Sequence, residues 1–224
     1  MTDIAVVDYG MGNLRSVAKA IEHVAPGASV AVTSDPDEIL AAARVVFPGQ
    51  GAMPDCMREM DARGLRAAVI TAAREKPFLG ICIGLQMLFE RSEEGDTPGL
   101  GLMHGKVRRF PADSMAQGDG GKLKVPHMGW NEVEQVSAHD LWRGISPRSR
   151  FYFVHSYYVE PEAAGIVAAT SSYGFEFTCA VALDNVFAVQ FHPEKSQAAG
   201  LRLLGNFVAW RPARLRAANA VAAA

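Results

Sequence analysis

The sequence predicts an α/β fold with a mostly parallel central sheet flanked by helices, and an additional antiparallel β region in the C-terminal half. The N-terminal half alternates short apolar runs with longer stretches of 3.6-residue periodicity. Strands that are apolar on both faces and alternate with helices are typical of a parallel sheet covered on both sides. The C-terminal half instead carries short β-type runs separated by turn residues, which are typical of hairpins.

The N-terminal elements follow this alternation in order. The sequence predicts strands over 4–7, 29–33, 44–47 and 77–81, and helices over 13–24, 37–43 and 57–74. Asn13 is the predicted N-cap of the first helix, because a short polar side chain at that position can accept a hydrogen bond from a free backbone N–H. Pro48 and Gly49 end the third strand.

The second half of the chain changes in character. Residues 101–136 are rich in glycine and polar side chains, and we predict a mobile turn at 117–121 (QGDGG). Strands are predicted over 151–159, 166–171, 175–182 and 186–191, with turns at Tyr173-Gly174 and Asp184-Asn185, and then a helix over 196–210 with Leu201, Leu204 and Val208 on one face. We expect one domain over 1–210 and a flexible tail rich in alanine and arginine over 211–224.

Composition limits the class of protein. Of the 224 residues 49% are hydrophobic and 21% are charged, which is typical of a globular chain with an apolar core. Lys and Arg number 22 against 24 Asp and Glu, so the net charge of −2 argues against a duplex nucleic-acid partner. The three cysteines, Cys56, Cys82 and Cys179, favour free thiols in a reducing compartment. With no leader peptide and no apolar run of about 18 residues, we expect a cytoplasmic protein without membrane contact.

The sharpest signal for chemistry is residues 80–84 (GICIG), at a predicted transition from a strand to a helix. This pattern is typical of a nucleophile elbow with cysteine in place of serine. Gly80 and Gly84 leave room for a tight turn that strains Cys82 into an exposed position. The start of the helix then favours its thiolate. A glycine-rich turn around a buried structural cysteine is the alternative.

A second signal lies at residues 190–194 (QFHPE), where the last predicted strand ends. Side chains two positions apart in an extended segment point the same way, so Glu194 can hydrogen-bond one imidazole nitrogen of His192. The other nitrogen is then free to exchange protons with a thiol. We therefore predict Cys82, His192 and Glu194 as a catalytic triad. A zinc site built from the same side chains is conceivable, but no metal-binding spacing supports it.

A third candidate element is residues 48–51 (PGQG), also at a strand end. Backbone N–H groups of Gly49, Gln50 and Gly51 could complete an oxyanion hole with that of Ile83. An ordinary strand-to-helix turn is the alternative.

The remaining cysteines and histidines lack such a context. Cys56 and Cys179 are predicted to pack in the core, and His155, within an aromatic-rich strand, to form local hydrogen bonds. The sequence identifies no partner for His23, His104, His127 or His139.

Four further segments carry a resemblance to a known family: residues 8–13 (DYGMGN), 48–51 (PGQG), 126–131 (PHMGWN) and 153–157 (FVHSY). Together with the elbow and QFHPE, they make the chain resemble the class I glutamine amidotransferases, with their flavodoxin-like fold, from about residue 3 to residue 210. The PHMGWN segment narrows the likeness to the glutaminase subunits of histidine biosynthesis, since general members of the family share the triad but not this run.

The resemblance implies a glutaminase that hydrolyses L-glutamine through a cysteine thioester, without cofactor or metal. It further implies a heterodimer in which ammonia passes through a tunnel to a (β/α)8-barrel cyclase that makes imidazole glycerol phosphate and an aminoimidazole carboxamide ribonucleotide. The residues implied to hold glutamine are Gln86, Ser156 and Tyr157, and those implied on the docking face are Asn13, Trp130 and Lys195. For Lys195 an ordinary solvated position is the alternative.

The chain departs from the family pattern at Gln50, where valine is usual, and at Ile83 and Leu85, where leucine and methionine are usual. Because backbone N–H groups form an oxyanion hole, we expect the change at Gln50 to be tolerated, with a difference in how the loop switches. The changes at Ile83 and Leu85 are apolar and conserve volume. Three other functions stay open: a glutaminase serving another synthase, a stand-alone cysteine hydrolase of the same fold, and a non-catalytic subunit.

Overall fold

Parallel strands form the half of the main sheet that carries the candidate site. The computed structural model describes residues 2–111, 123–213 and 215 of the chain. The parallel strands in it are β1 (Ile4–Val7), β2 (Val30–Thr33), β3 (Arg44–Gly49), β4 (Phe78–Cys82) and β14 (Val186–Val189). They lie in the order β2–β1–β3–β4–β14. All four strands other than β2 are buried along their whole length, which explains why they are continuous apolar runs in the sequence.

Helices cover these strands. They are α1 (Leu14–Val24), α2 (Pro36–Ala41), α3 (Met53–Ala62), α4 (Arg66–Glu75), α5 (Ile83–Gln86) and α6 (Gln197–Ala209). The helix α1 packs against α6, and α2 packs against α4. Ile21, Ile39, Val69 and Phe207 are fully buried beneath them, and each such side chain contributes about 1.5–3 kcal/mol to folding. The predicted alternation of strands and helices is confirmed. Within the described residues, no helix has the length and apolar character needed to cross a membrane.

Two predicted helices differ in detail. The helix predicted over 57–74 is wrong as a single element, because Gly64 adopts a φ of +68° and turns the chain between α3 and α4. Asn13 directly precedes α1 as predicted, but its side chain makes no capping hydrogen bond with the described residues.

The buried face of α6 is rotated from the predicted one. Leu204 is buried as predicted, but Leu201 and Val208 are only half-buried. Leu203 and Phe207 take the innermost positions instead.

An antiparallel region extends the main sheet beyond β14. Its strands are β5 (Phe89–Ser92), β6 (Thr97–Pro98), β7 (Met103–Arg109), β9 (Glu134–Gln135), β11 (Tyr157–Pro161), β12 (Val167–Ser172) and β13 (Glu176–Leu183). The order is β14–β13–β11–β7–β5–β6, and β12 pairs with β13 and β9. These pairs are antiparallel except that of β5 with β7. The predicted antiparallel β region in the C-terminal half is confirmed, and the turns predicted at Tyr173-Gly174 and Asp184-Asn185 join β12 to β13 and β13 to β14.

A separate two-stranded sheet lies beside the main one. It consists of β8 (His127–Glu132) and β10 (Arg150–His155), paired antiparallel. The single strand predicted over 151–159 is therefore wrong: the chain bends at Ser156 and continues in the main sheet as β11.

The region 101–136 contains strands that its composition does not predict, namely β7 and β8. Along β7, buried and exposed residues alternate, so a period-2 signal is present among the glycine and polar residues. The mobile turn predicted at 117–121 lies outside the described residues, as do residues 216–224 of the predicted tail.

The carboxyl ends of β3, β4 and β14 meet at one edge of the main sheet. Gly49 at the end of β3 is in register with Cys82 at the end of β4, and Val189 of β14 is in register with Ile81. Ligand sites of open parallel sheets lie at this edge. The residues that follow these three strands are thereby brought together.

We expect Gly84→Ala to destabilise the fold. A Cβ at Gly84 would overlap the carbonyl oxygen of Phe47, so β3 would have to shift. The free energy of unfolding should fall by about 1–3 kcal/mol, the range for overpacked cores, as measured by urea denaturation. Gly27→Ala is the control, because a Cβ there meets no atom of the described chain within 4 Å. Equal losses in the two variants would contradict this packing argument.

Candidate active site

Cys82 sits on a strained turn between β4 and α5. Its φ of 57° and ψ of −113° lie outside the regions that side chains favour. A Cβ at Gly80 would lie 2.9 Å from the Cβ of Ala188, and one at Gly84 would overlap the Phe47 carbonyl. Glycine is therefore required on both sides of the cysteine, as the predicted elbow demands. The following helix is a single short turn of four residues.

His192 and Glu194 form a buried pair directly after β14. The Nδ1 atom of His192 lies 2.9 Å from Oε1 of Glu194, and the two side chains are only 4% and 1% exposed. The segment is tied to β10, because the His192 N–H donates to the carbonyl of Tyr152. The Ser196 hydroxyl in turn donates to the His192 carbonyl at 2.6 Å. The predicted juxtaposition of His192 with Glu194 is present, but the predicted extended backbone is wrong, because Glu194 lies in the 3-10 helix Pro193–Lys195.

Two neighbours favour the charged form of His192. Burial by itself lowers the pKa of His192, but the neighbouring Cys82 sulfur, and then the Glu194 carboxylate, outweigh that effect. The net result is a pKa of His192 raised above its ordinary value. The arrangement favours an imidazolium at neutral pH.

The loop after β3 approaches the same point. Gly49 lies so close to its surroundings that a Cβ would be 2.5 Å from the Tyr9 hydroxyl and 2.7 Å from the Cβ of Ile83. Gly51 has a φ of +104°, which also favours glycine. The carbonyl of Gln50 accepts a hydrogen bond from the Cys56 thiol at 3.5 Å. Cys56 is thus buried as predicted but also contacts this loop.

A cavity of about 260 Å³ opens between these elements. Cys82, His192, Gln50, Gly51 and Ile83 line one side of it. The rest of its lining is formed by Gln86, Glu94, Pro126, Val154, His155, Ser156 and Tyr157. The cavity therefore brings together the predicted catalytic, oxyanion and substrate residues, except for Glu194 and Gly49, which do not line it.

Gln190 is a site residue that sequence reasoning missed. It is fully buried, and its Nε2 donates to the sulfur of Cys82 at 3.7 Å. Its Oε1 accepts from Nε2 of Gln86 at 2.9 Å, and the same Gln86 nitrogen donates to the carbonyl of Tyr157 at 3.2 Å. The sequence offered a signal, because in the strand predicted over 186–191 Gln190 would point the same way as His192. In the structure β14 ends at Val189 and residues 190 and 191 form a bend instead.

Three histidines also differ from expectation. The first is His139, whose Nδ1 accepts a hydrogen bond from the N–H of Leu141 at 3.1 Å. His127 Nδ1 lies 2.9 Å from Nε2 of His155, and His104 Nδ1 lies 3.1 Å from a Glu90 oxygen, so the lack of partners predicted for His127 and His104 is wrong. His155 makes the predicted local hydrogen bond, with its Nδ1 2.7 Å from the carbonyl oxygen of Tyr157. Both rings of the histidine pair are buried.

The residues implied on the docking face are only partly grouped. Trp130 is 37% exposed and its ring lies edge-on to that of Tyr152. The Nζ of Lys195 lies 5.9 Å from the centre of the same Tyr152 ring. Asn13 is half-buried at the start of α1, a helix that packs near the 3-10 helix Pro193–Lys195.

Metal binding finds no support in this geometry. Within residues 2–111, 123–213 and 215, no group of three or more His, Cys, Asp or Glu side chains could hold a metal ion. Cys56, Cys82 and Cys179 are free and buried. The exposed position predicted for Cys82 is therefore wrong, because its side chain is buried at the lining of the cavity.

Comparison with known proteins identifies the family of the chain. A family model described as glutamine amidotransferase class-I matches residues 5–210. The chain is 68% identical over 212 residues to the imidazole glycerol phosphate synthase subunit HisH of Aromatoleum aromaticum, with 95% of this chain and 100% of that one covered. It is 69% identical over 210 residues to the protein of the same name from Thiobacillus denitrificans, covering 94% and 92%. A solved glutamine amidotransferase structure, 18% identical, superposes with a TM-score of 0.67 over 92% of this chain and 99% of that chain, which shows a shared fold.

We expect Glu194→Gln to lower the pKa of His192, because the variant loses the negative charge that stabilises the imidazolium. The measurement is an NMR titration of the His192 side chain in the full chain. Glu162→Gln, at an exposed glutamate, is the control. An unchanged His192 pKa in Glu194→Gln would contradict the role assigned to this carboxylate.

Proposed function

Since this chain belongs to the class I glutamine amidotransferase family, we propose that it hydrolyses L-glutamine to glutamate and ammonia through a cysteine thioester. We further propose that it is the glutaminase subunit of an imidazole glycerol phosphate synthase, the name its relatives carry. The observation that carries the proposal is the cavity in which a strained Cys82 meets the His192–Glu194 pair and Gln86.

The proposed reaction begins with attack of the Cys82 sulfur on the side-chain carboxamide carbon of glutamine. The oxyanion that forms would be stabilised by backbone N–H groups of the 49–51 loop and of Ile83. His192 donates its Nε2 proton to the departing nitrogen, so ammonia leaves and a γ-glutamyl thioester remains. His192, now neutral, takes a proton from water, which attacks the thioester and regenerates the Cys82 sulfur with release of glutamate. Glu194 keeps the imidazole oriented through Nδ1.

Substrate recognition is proposed to involve Gln86, Ser156 and Tyr157. Both donor contacts of the Gln86 amide are used within the protein, and its Oε1 is buried with no hydrogen-bond partner among the described residues. This oxygen can accept a hydrogen bond from the N–H groups of a bound amino acid. A cavity of about 260 Å³ lies below the roughly 300–1,000 Å³ typical of sites for larger ligands, which favours a single amino acid over a peptide.

We propose a partner because ammonia acts as a nucleophile only while it is unprotonated. Delivery through an enclosed path to a (β/α)8-barrel cyclase in a heterodimer would keep ammonia from taking up a proton from water. We propose that the cyclase docks on the face formed by Met128, Trp130 and Lys195, near Asn13. Met128 and Trp130 support this proposal, since they are 62% and 37% exposed although both are large and apolar.

The remaining expectations are kept as proposals. We propose one domain over 1–210, in agreement with the family match over 5–210, and a tail over 211–224 that takes no part in the site. Buried free thiols support a reducing compartment, and we propose the cytoplasm.

We expect Cys82→Ala, assembled with the cyclase, to lose glutamine-dependent synthesis and to retain synthesis from added ammonium salts. The loss of the nucleophile removes ammonia production, whereas the partner's own reaction does not use Cys82. Product formation from the two nitrogen sources is the measurement, and the ammonium reaction shows that the complex has assembled. Undiminished glutamine-dependent turnover would rule out Cys82 as the nucleophile.

We expect the isolated chain to hydrolyse glutamine slowly and the cyclase with its nucleotide ligand to stimulate it strongly. Ammonia release is measured with and without the cyclase. Efficient cleavage of peptides by the isolated chain would instead favour a stand-alone cysteine hydrolase, and stimulation only by a different synthase would reassign the partner.

A further inference from the structure

A chain of hydrogen bonds crosses the interior from β8 to the sulfur of Cys82. We propose that this chain allows only one arrangement of donors and acceptors, and that it makes His127, His155 and Gln190 positioning residues of the glutamine site. The positioning role rests on the proposed glutaminase function, whereas the direction of the hydrogen bonds does not.

The outer end of the chain is the side chain of Asn131. Its Oδ1 accepts from the N–H of Glu132 at 2.8 Å, and its Nδ2 donates to the carbonyl of Ser172 at 2.8 Å. These two bonds determine which way the amide faces. The second hydrogen on Nδ2 is then directed to Nε2 of His127, 3.3 Å away, so this imidazole nitrogen must be the acceptor.

The two histidines allow one arrangement of protons. A carbonyl oxygen only accepts, so the His155 Nδ1 that lies 2.7 Å from the Tyr157 carbonyl carries a proton. Burial lowers the pKa of His127 to about 4 and that of His155 to about 3, so both rings are neutral at pH 7. The Nε2 of His155 therefore accepts, and Nδ1 of His127, 2.9 Å away, donates to it. Both histidines are Nδ1–H tautomers.

The inner end of the chain orients the glutamine site. The Tyr157 carbonyl accepts one hydrogen bond from Nδ1–H of His155 and another from the amide N–H of Gln86. Reversal of the Gln86 amide would place two oxygens against each other, so its Nε2 faces Tyr157 and Gln190. Gln190 then presents its own Nε2 to the Cys82 sulfur. Only in this arrangement is Oε1 of Gln86 left as an acceptor for substrate.

The position of β8 gives the chain a further consequence. Along this strand Met128 and Trp130 are exposed, whereas His127 is buried and Asn131 is half-buried. Alternate residues of a strand point to opposite faces, so one face carries the exposed apolar side chains and the other carries the hydrogen bonds. A partner that contacts the exposed face of β8 would therefore contact the same strand that carries His127 and Asn131, the outer members of the hydrogen-bond chain.

The first test is the tautomeric state of the two rings. We expect 15N NMR of the full chain at pH 7 to show His127 and His155 as neutral Nδ1–H tautomers, with each signal assigned by its loss in His127→Phe or His155→Phe. An Nε2–H tautomer or a doubly protonated ring at either position would overturn the proposal. This measurement requires no enzymatic activity. It can therefore contradict the proposed arrangement of hydrogen bonds without bearing on the proposed glutaminase function.

The second test compares two replacements of His127 in the complex with the cyclase. His127→Phe keeps an aromatic ring stacked between Phe153 and Tyr173, whose centres lie 4.9 Å and 4.0 Å from that of His127, but donates no hydrogen bond. We expect the KM for glutamine to rise about threefold to tenfold with a smaller change in kcat, the effect of one neutral hydrogen bond.

His127→Asn supplies an amide nitrogen near the position of Nδ1 and should restore most of the loss, although it removes the ring. His104→Gln, at an exposed histidine, is the matched control and should leave KM unchanged. An unaltered KM in His127→Phe, or an equal rise in both His127 variants, would show that the ring acts by packing alone and would overturn the positioning role. If His127→Phe does not fold, the His127 signal is assigned by its loss in His127→Asn, and the tautomer measurement then tests the arrangement of hydrogen bonds by itself.

Discussion

The strained backbone at Cys82 is the constraint on which the rest of the site depends. A side chain held at φ 57° and ψ −113° costs of order 1–3 kcal/mol and persists only where its surroundings leave no alternative. Here β4 is paired on both sides, by β3 and β14, and Gly80 and Gly84 allow the neighbouring chains to approach closely. The packing of the parallel sheet therefore determines where the Cys82 sulfur stands before any other side chain takes part.

Buried polar atoms without partners collect around Cys82. In the described part of the chain they include Nε2 of His192, Oε2 of Glu194 and Oε1 of Gln86. Such atoms cost folding free energy, and proteins retain few of them. Their concentration at one cavity indicates that the site is arranged for a ligand and for a change of charge. The buried carboxylate of Glu194 offsets the cost of a cation on His192.

The bend at Ser156 connects the two sheets and completes the cavity. On one side of it β10 holds His155 in the small sheet, and on the other β11 holds Tyr157 in the main sheet. The Tyr157 carbonyl lies at this junction and accepts hydrogen bonds from both sides. Because β8 pairs with β10, the exposed Met128–Trp130 face and the cavity beside Cys82 belong to one connected structure.

Local chemistry is what the sequence by itself determined. Apolar runs predicted the strands of the parallel half, the glycines around Cys82 predicted the elbow, and a spacing of two predicted that Glu194 meets His192, since each signal acts within a few residues. Only the tertiary structure decided that Gln190 reaches Cys82, that His127 pairs with His155, and that one predicted strand divides at Ser156. These contacts depend on strand register and on the division between two sheets, which residues distant in the chain set together and no local pattern contains.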